Sequence, residues 1–186
     1  MLPNPKAFES VIDFLNKNHI PYMVIGGMAN SIWGRVRATH DADFKVGIDM
    51  PLADFRRMVL EHFPARQTNI PAQKLSPHIV HIWATPDVPA DLLVCIFDYE
   101  RQAIDRATEM ILDGVPARVC TAEDLLIHKV VASRGNDWRD VEGILIRQKN
   151  NLDMKYVRHW LKEFAEGLEN PELLAHFEKL YSEVNS

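Results

Sequence analysis

The stretch Ile25-Gly26-Gly27-Met28-Ala29-Asn30-Ser31, followed after a short gap by Arg37-Ala38-Thr39-His40-Asp41-Ala42-Asp43-Phe44, decides how the rest of the chain is read. Tyr22 to Ile25 form an apolar run that ends at paired glycines, the pattern of a buried strand entering a tight turn. Met28 to Trp33 then reads as a short helix. Without a Cβ at Gly26 and Gly27, the backbone can approach a ligand closely. A helix starting there would turn free N–H groups and the positive end of its dipole toward an anion such as phosphate. Residues 41–48 alternate and read as a second strand, so Asp41 and Asp43 share one face. Two adjacent carboxylates repel unless compensated, and a divalent ion with phosphate oxygens is the usual compensation. Lys45 shares their side, either to neutralise one of them or to reach a phosphate. Taken singly, the glycines are a plain turn and the aspartates a solvated strand end paired with Arg35 and Arg37. Their joint occurrence points to phosphate.

Outward from this stretch the elements fall into two groups. Phe8, Val11, Ile12, Phe14 and Leu15 recur at helical spacing over 5–19, and Pro51 opens a helix over 51–63. Residues 64–77 hold three prolines and read as loop. Strands follow at 78–84 and 90–97, joined by Thr85-Pro86-Asp87-Val88-Pro89 as an antiparallel pair. A weak helix at 100–107 precedes a hairpin over 110–119 that turns at Asp113-Gly114. From Thr121 the chain is helical: a capped helix through Ser133, then helices at 137–149, 153–167 and 171–183. The expectation is an α+β domain, residues 1–120, followed by a helical module, residues 121–186. A third carboxylate, Asp91, heads the strand at 90–97 and would join Asp41 and Asp43 across the sheet. Three acidic groups converging on metal are the layout for in-line phosphoryl or nucleotidyl displacement.

Composition narrows the partners. At 186 residues the chain suits one domain, or one domain with a small helical appendage. Lys and Arg number 21 against 26 Asp and Glu, and the net charge of -5 argues against a generic nucleic-acid coat while leaving room for a local basic patch. Cys95 and Cys120 both sit in apolar runs, which excludes a disulfide framework and points to a reducing compartment. No signal peptide or membrane span is read, so a cytoplasmic location is expected. His78 and His81 stand three apart on a strand and so face opposite ways, which removes them as a metal pair. His40 points away from the aspartates. The four tryptophans read as packing residues.

These residues resemble the DNA polymerase β-like nucleotidyltransferase superfamily, in which Gly-Gly, a short helix, Asp-x-Asp and a later strand-borne Asp follow in this order. Within it, GGMANSIWGRVRATHDADFKV is similar to the minimal nucleotidyltransferases of the AbiE-type toxin group, where an arginine and a threonine precede the aspartates as Arg37 and Thr39 do. TAEDLLIHKVVASRGNDWRDVEGIL is similar to that group's helical block, with Lys129, Arg134, Asp137 and Asp140 at its matching positions. One departure is Gly27, where many members carry Ser. Phosphate contacts would then rest on backbone N–H groups, helped by Asn30 or Ser31.

The resemblance implies a minimal nucleotidyltransferase core, a short mixed sheet flanked by helices, with a helical C-terminal module. It implies transfer of a nucleoside monophosphate from a nucleoside triphosphate (NTP) to an acceptor hydroxyl, with two Mg²⁺ ions, or Mn²⁺ in their place. Asp41 and Asp43 would bind both ions, and Asp91 would bind the second and accept the hydroxyl proton. Gly26, Gly27, Asn30 and Ser31 would hold phosphates, and Arg37 and Lys129 would offset charge on the leaving pyrophosphate. Lys129 also has a plain reading, a snorkelling side chain on an apolar helix. Asp137 and Asp140 read first as a charged helix start, with Asp137 as a buttress for Lys129. The acceptor implied by the toxin group is tRNA or another RNA end, with a cognate antitoxin as protein partner. A small-molecule, antibiotic-type acceptor is the second enzyme reading. A silent nucleotide-binding or regulatory module is the third; its mark would be loss of one of the aspartates, and none is lost.

Overall fold

Phe8, Val11, Ile12 and Leu15 line one stripe of the first helix, α1 (Pro5–Lys17), and all are buried. Asn4 caps α1 by accepting from the Lys6 N–H at 3.1 Å. The structure, a computed structural model, describes residues 4–68 and 76–186. Residues 69–75 of the expected 64–77 loop, and 1–3 of the opening segment, lie outside the described residues. The chain divides into two units: Met1–Met28 with Ala38–Cys120, and Ala29–Arg37 with Thr121–Ser186.

The first unit is built on a mixed sheet. Its strands are β1 (Tyr22–Val24), β2 (Ala42–Val46), β3 (Ile79–Thr85), β4 (Val88–Val94), β5 (Thr108–Leu112) and β6 (Val115–Val119), in the order β3-β4-β2-β1-β6-β5. β1 pairs antiparallel with β2 and parallel with β6, and β2 runs parallel to β4. β3–β4 and β5–β6 are antiparallel hairpins, the second turning at Asp113-Gly114 as expected. Alternation sorts the side chains of β2: Ala42, Phe44 and Val46 are buried, and Phe44 stacks on Phe8 of α1 with ring centroids 5.4 Å apart. Asp43 and Lys45 point the other way. There α4 (Asp98–Arg106) covers the far end of β2, and Lys45 pairs with Glu100 of that helix. A further helix of this unit is α3 (Leu52–His62), with Pro51 at its N-cap.

The second unit centres on α5 (Ala122–Ala132), whose mostly apolar surface is buried against α6 (Gly135–Gln148), α7 (Met154–Gly167) and α8 (Glu172–Val184). Thr121 caps α5 by accepting from the Asp124 N–H at 3.1 Å. Tyr156 on α7 donates its hydroxyl to Asp124 at 2.8 Å, and Arg158 on α7 forms a two-point pair with Glu178 on α8 at 2.7 and 3.0 Å. Residues 29–37, which the sequence reading leaves in the core, belong to this unit for a local reason. Arg147 on α6 donates to the carbonyls of Ser31 and Gly34, Gln148 donates to that of Trp33, and the bare α-carbon of Gly143 lets the Arg35 backbone lie against the helix. The helix α2 (Gly26–Trp33) therefore begins in one unit and ends in the other. Among the described residues no helix is long and apolar enough to cross a membrane.

Candidate functional site

Parallel pairing of β2 with β4 puts Asp43 in register with Asp91, and antiparallel pairing of β4 with β3 puts Asp91 in register with His81. Register partners point to one face of a sheet, so these three side chains form a row across three strands. Asp91 lies mid-strand rather than at its head, because β4 starts at Val88 after a two-residue turn at Pro86-Asp87. Its Oδ1 accepts from Nδ1 of His81 at 2.8 Å and from Nη2 of Arg66. Arg66 reaches it because residues 64–66 run alongside β3: the Arg66 N–H donates to His81 O at 3.0 Å, and Ala65 bridges Ile82.

At the other end of the row Asp43 packs on the first residue of α2. Gly26 has φ +65°, and a Cβ built there would fall 2.0 Å from Asp43 Oδ2. The glycines are thus the first helical residues of α2, not a turn ahead of it. Only glycine meets both demands, the left-handed φ and the space taken by the carboxylate. Gly26→Ala is therefore expected to displace Asp43 and to lower stability by about 2 kcal/mol or more, checked by urea denaturation. A wild-type midpoint would mean that the close approach is not needed.

Asp41 stands just before β2, held by the Thr39 hydroxyl, which lies 3.0 Å from its Oδ1. It shares no strand with Asp43, in contrast to the expected alternation. Among the described residues no group of three or more His, Cys, Asp or Glu side chains is gathered to hold a metal ion. The donors present still suit one kind of ion. Asp43 and Asp91 offer hard carboxylate oxygens in adjacent register, and Mg²⁺ takes one or two carboxylates, keeps several waters and completes its shell with substrate phosphates.

The remaining expected residues lie in the second unit. Asn30 is fully buried, and its amide nitrogen donates to Arg35 O at 2.9 Å and to Asp140 Oδ1 at 3.1 Å, so its amide hydrogens are spent on the protein. Lys129 is buried too. Its ammonium is 2.9 Å from Asp137 Oδ1 and 2.8 Å from Asp140 Oδ2. Arg37 reaches Asp140 at 3.4 Å with its side chain 43% exposed, and Arg134 closes on Asp137 at 2.7 Å. Ser31 is half-buried.

Two carboxyls carry shifts that matter for stability. Burial pushes Glu100 up, but the Lys45 ammonium and the N–H groups of Ile96 and Phe97 outweigh it and hold the carboxyl below its ordinary value. Burial likewise pushes Asp137 up, and hydrogen bonds from Arg134 and Lys129 bring it below the ordinary range. Carboxyls depressed in the folded state contribute stability that is complete above their unfolded pKa of about 4 and is lost as the pH falls through their folded values. The denaturation midpoint is expected to be flat from pH 7 to 5 and to fall below pH 4, less steeply in Glu100→Gln. Burial, with Glu100 nearby, pushes the Cys95 thiol up to about 11, which leaves it a poor nucleophile at neutral pH.

No protein-family model matches the chain, and no curated protein sequence matches it. Solved structures do. An antigenic nucleotidyltransferase-like protein from Paracoccidioides brasiliensis superimposes with TM-score 0.53 at 19% identity, over 94% of this chain and 92% of the other. The solution structure of the antibiotic-resistance factor ANT(2'')-Ia gives TM-score 0.59 at 14% identity, over 89% of this chain and 94% of that one. The crystal structure of ANT(2'')-Ia in complex with adenylyl-2''-tobramycin gives 0.53 at 14% identity, over 95% and 98%. At these identities the likeness establishes the fold, and the fold is that of the nucleotidyltransferases.

Proposed function

We propose that the chain is a nucleotidyltransferase that moves a nucleoside monophosphate from an NTP to an acceptor hydroxyl. The observation that carries this reading is the in-register pair Asp43–Asp91 ending at the Gly26 start of α2. In the proposal the N–H groups at Gly26-Gly27 bind triphosphate oxygens, as a helix N-terminus does. Asp41 and Asp43, with Asp91, offer the carboxylates that would hold Mg²⁺ or Mn²⁺, whose chemistry when bound is to neutralise charge on the phosphates and orient them. Asp91 takes the proton from the attacking hydroxyl. Arg37, with its exposed side chain, offsets charge on the leaving pyrophosphate. Lys129 instead holds Asp137 and Asp140 together, and Asn30 orders the segment that follows α2.

The acceptor has two readings. The toxin-group resemblance favours a tRNA or other RNA end, with an antitoxin protein holding the enzyme in check in the cytoplasm. The likeness to ANT(2'')-Ia with its adenylyl-tobramycin is the observation behind a small polyhydroxylated antibiotic as acceptor. The net charge of -5 suits a cationic small molecule better than a long RNA. The test is incubation with each of the four α-labelled NTPs, Mg²⁺, and either total tRNA or tobramycin. Label on one acceptor names the nucleotide and the acceptor class. Absence of label on both, with NTP binding still detectable by thermal shift, would overturn transfer to these acceptors and leave a nucleotide-binding module.

A further inference from the structure

His81 and Arg66 have no part in the reaction as assigned above, yet both are spent on Asp91. Nδ1 of His81, at 2.8 Å, and Nη2 of Arg66 meet the same oxygen, Oδ1. A carboxylate only accepts, so both nitrogens donate. Oδ2 of Asp91 accepts no hydrogen bond among the described residues. Two further nitrogens of the pair, Arg66 Nε and His81 Nε2, are buried without a partner there. Stability alone would not favour leaving two buried polar atoms unmatched. Local order at the expense of such atoms is the mark of a functional constraint.

We propose that His81 and Arg66 are positioning residues for Asp91: they anchor its carboxylate through Oδ1 and so fix the direction of Oδ2, the oxygen that receives the acceptor proton. The inference rests on the nucleotidyltransferase reading. In the step it serves, the acceptor oxygen bonds to the α-phosphorus while its proton passes to Oδ2. The bond from that phosphorus to pyrophosphate breaks, and pyrophosphate leaves with the electron pair. A general base must stand within hydrogen-bond reach of its proton, and an aspartate free to rotate about two torsions meets that geometry only part of the time. Charge-assisted bonds to one oxygen remove the rotation. His81 is held by its β3 register, and Arg66 by its backbone bond to His81 O, so both anchors stand on the sheet itself.

The experiment compares kcat and KM in label transfer to the acceptor, tRNA or tobramycin, that takes label from wild type. His81→Ala and Arg66→Ala are each expected to lower kcat roughly 10- to 100-fold with KM for the NTP little changed. His81→Asn, whose amide nitrogen can donate from near the Nδ1 position, is expected to recover most of the loss. In an Asp91→Asn background, His81→Ala is expected to cost nothing more. A readout apart from turnover is the ¹⁵N NMR signature of the His81 ring in the full chain, expected to show hydrogen on Nδ1. Wild-type kcat in both alanine variants, a further loss in the Asp91→Asn background, or hydrogen on Nε2 alone would each overturn the positioning role while leaving the function reading intact. Failure of wild type to label either acceptor would instead overturn the reading beneath it, and this inference with it.

Discussion

Asp43→Asn is expected to lower label transfer by about 10²–10³-fold or more, with a melting temperature close to wild type. The two side chains have the same shape, so the packing of residue 43 on Gly26 survives, while the charge proposed to face the triphosphate is gone. Asn keeps an oxygen but no formal charge, and a divalent ion with its phosphates is held mainly by charge. The measurement is kcat with saturating NTP, run beside a thermal melt. Activity within a few-fold of wild type would remove Asp43 from the proposed machinery. Loss of activity together with a collapsed melt would mean that the carboxylate is structural.

Lys129→Met is expected to cost stability on a comparable scale. Lys129 is shared by Asp137 and Asp140, whose side chains are 4% and 3% exposed. Removing the ammonium leaves two buried carboxylates with only Arg134, Arg37 and Asn30 for partners among the described residues, and breaking such a network typically costs about 3–5 kcal/mol. For a chain of this size that is a fall of roughly 6–20 °C in melting temperature. Replacing the whole set, Lys129→Met with Asp137→Asn and Asp140→Asn, is expected to recover most of the loss, because no uncompensated charge remains. A direct contact of Lys129 with the triphosphate would give a different signature, a raised KM for the NTP at an unchanged melt.

Much of the architecture was legible because periodicity and breakers report local structure. The stripe of α1, the run at Tyr22–Val24, the Asp113-Gly114 turn and the capped start of α5 each follow from a few neighbouring residues. Lateral relations were not legible in the same way. By sequence alone Thr85-Pro86-Asp87-Val88-Pro89 is a five-residue joint, which leaves the hairpin register open. With Thr85 paired to Val88 the turn has two residues, and His81 falls opposite Asp91. Recognising that tight turn would have moved His81 from a discarded metal pair to the side of the carboxylate. Arg66 left no such signal, since its place depends on how the chain runs back along β3. The same holds for Glu100, in a helix too polar for periodicity to place, which meets Lys45 from 55 positions away. The protein partners of Asn30 and Lys129, Asp140 for both and Asp137 for Lys129, depend on how the helices pack and leave no signal in residue type.

The strand order has a consequence for how the chain comes off the ribosome. β1, wholly buried in the finished sheet, has β2 on one side and β6 on the other. β2 follows within a few dozen residues of synthesis, but β6 ends at Val119. Until that point has emerged, one flank of the central strand has unpaired N–H and C=O groups and can recruit any extended segment nearby. Nascent chains from which Val119 has not yet emerged are the species for which chaperone binding and aggregation should peak, and emergence of β6 ends that exposure.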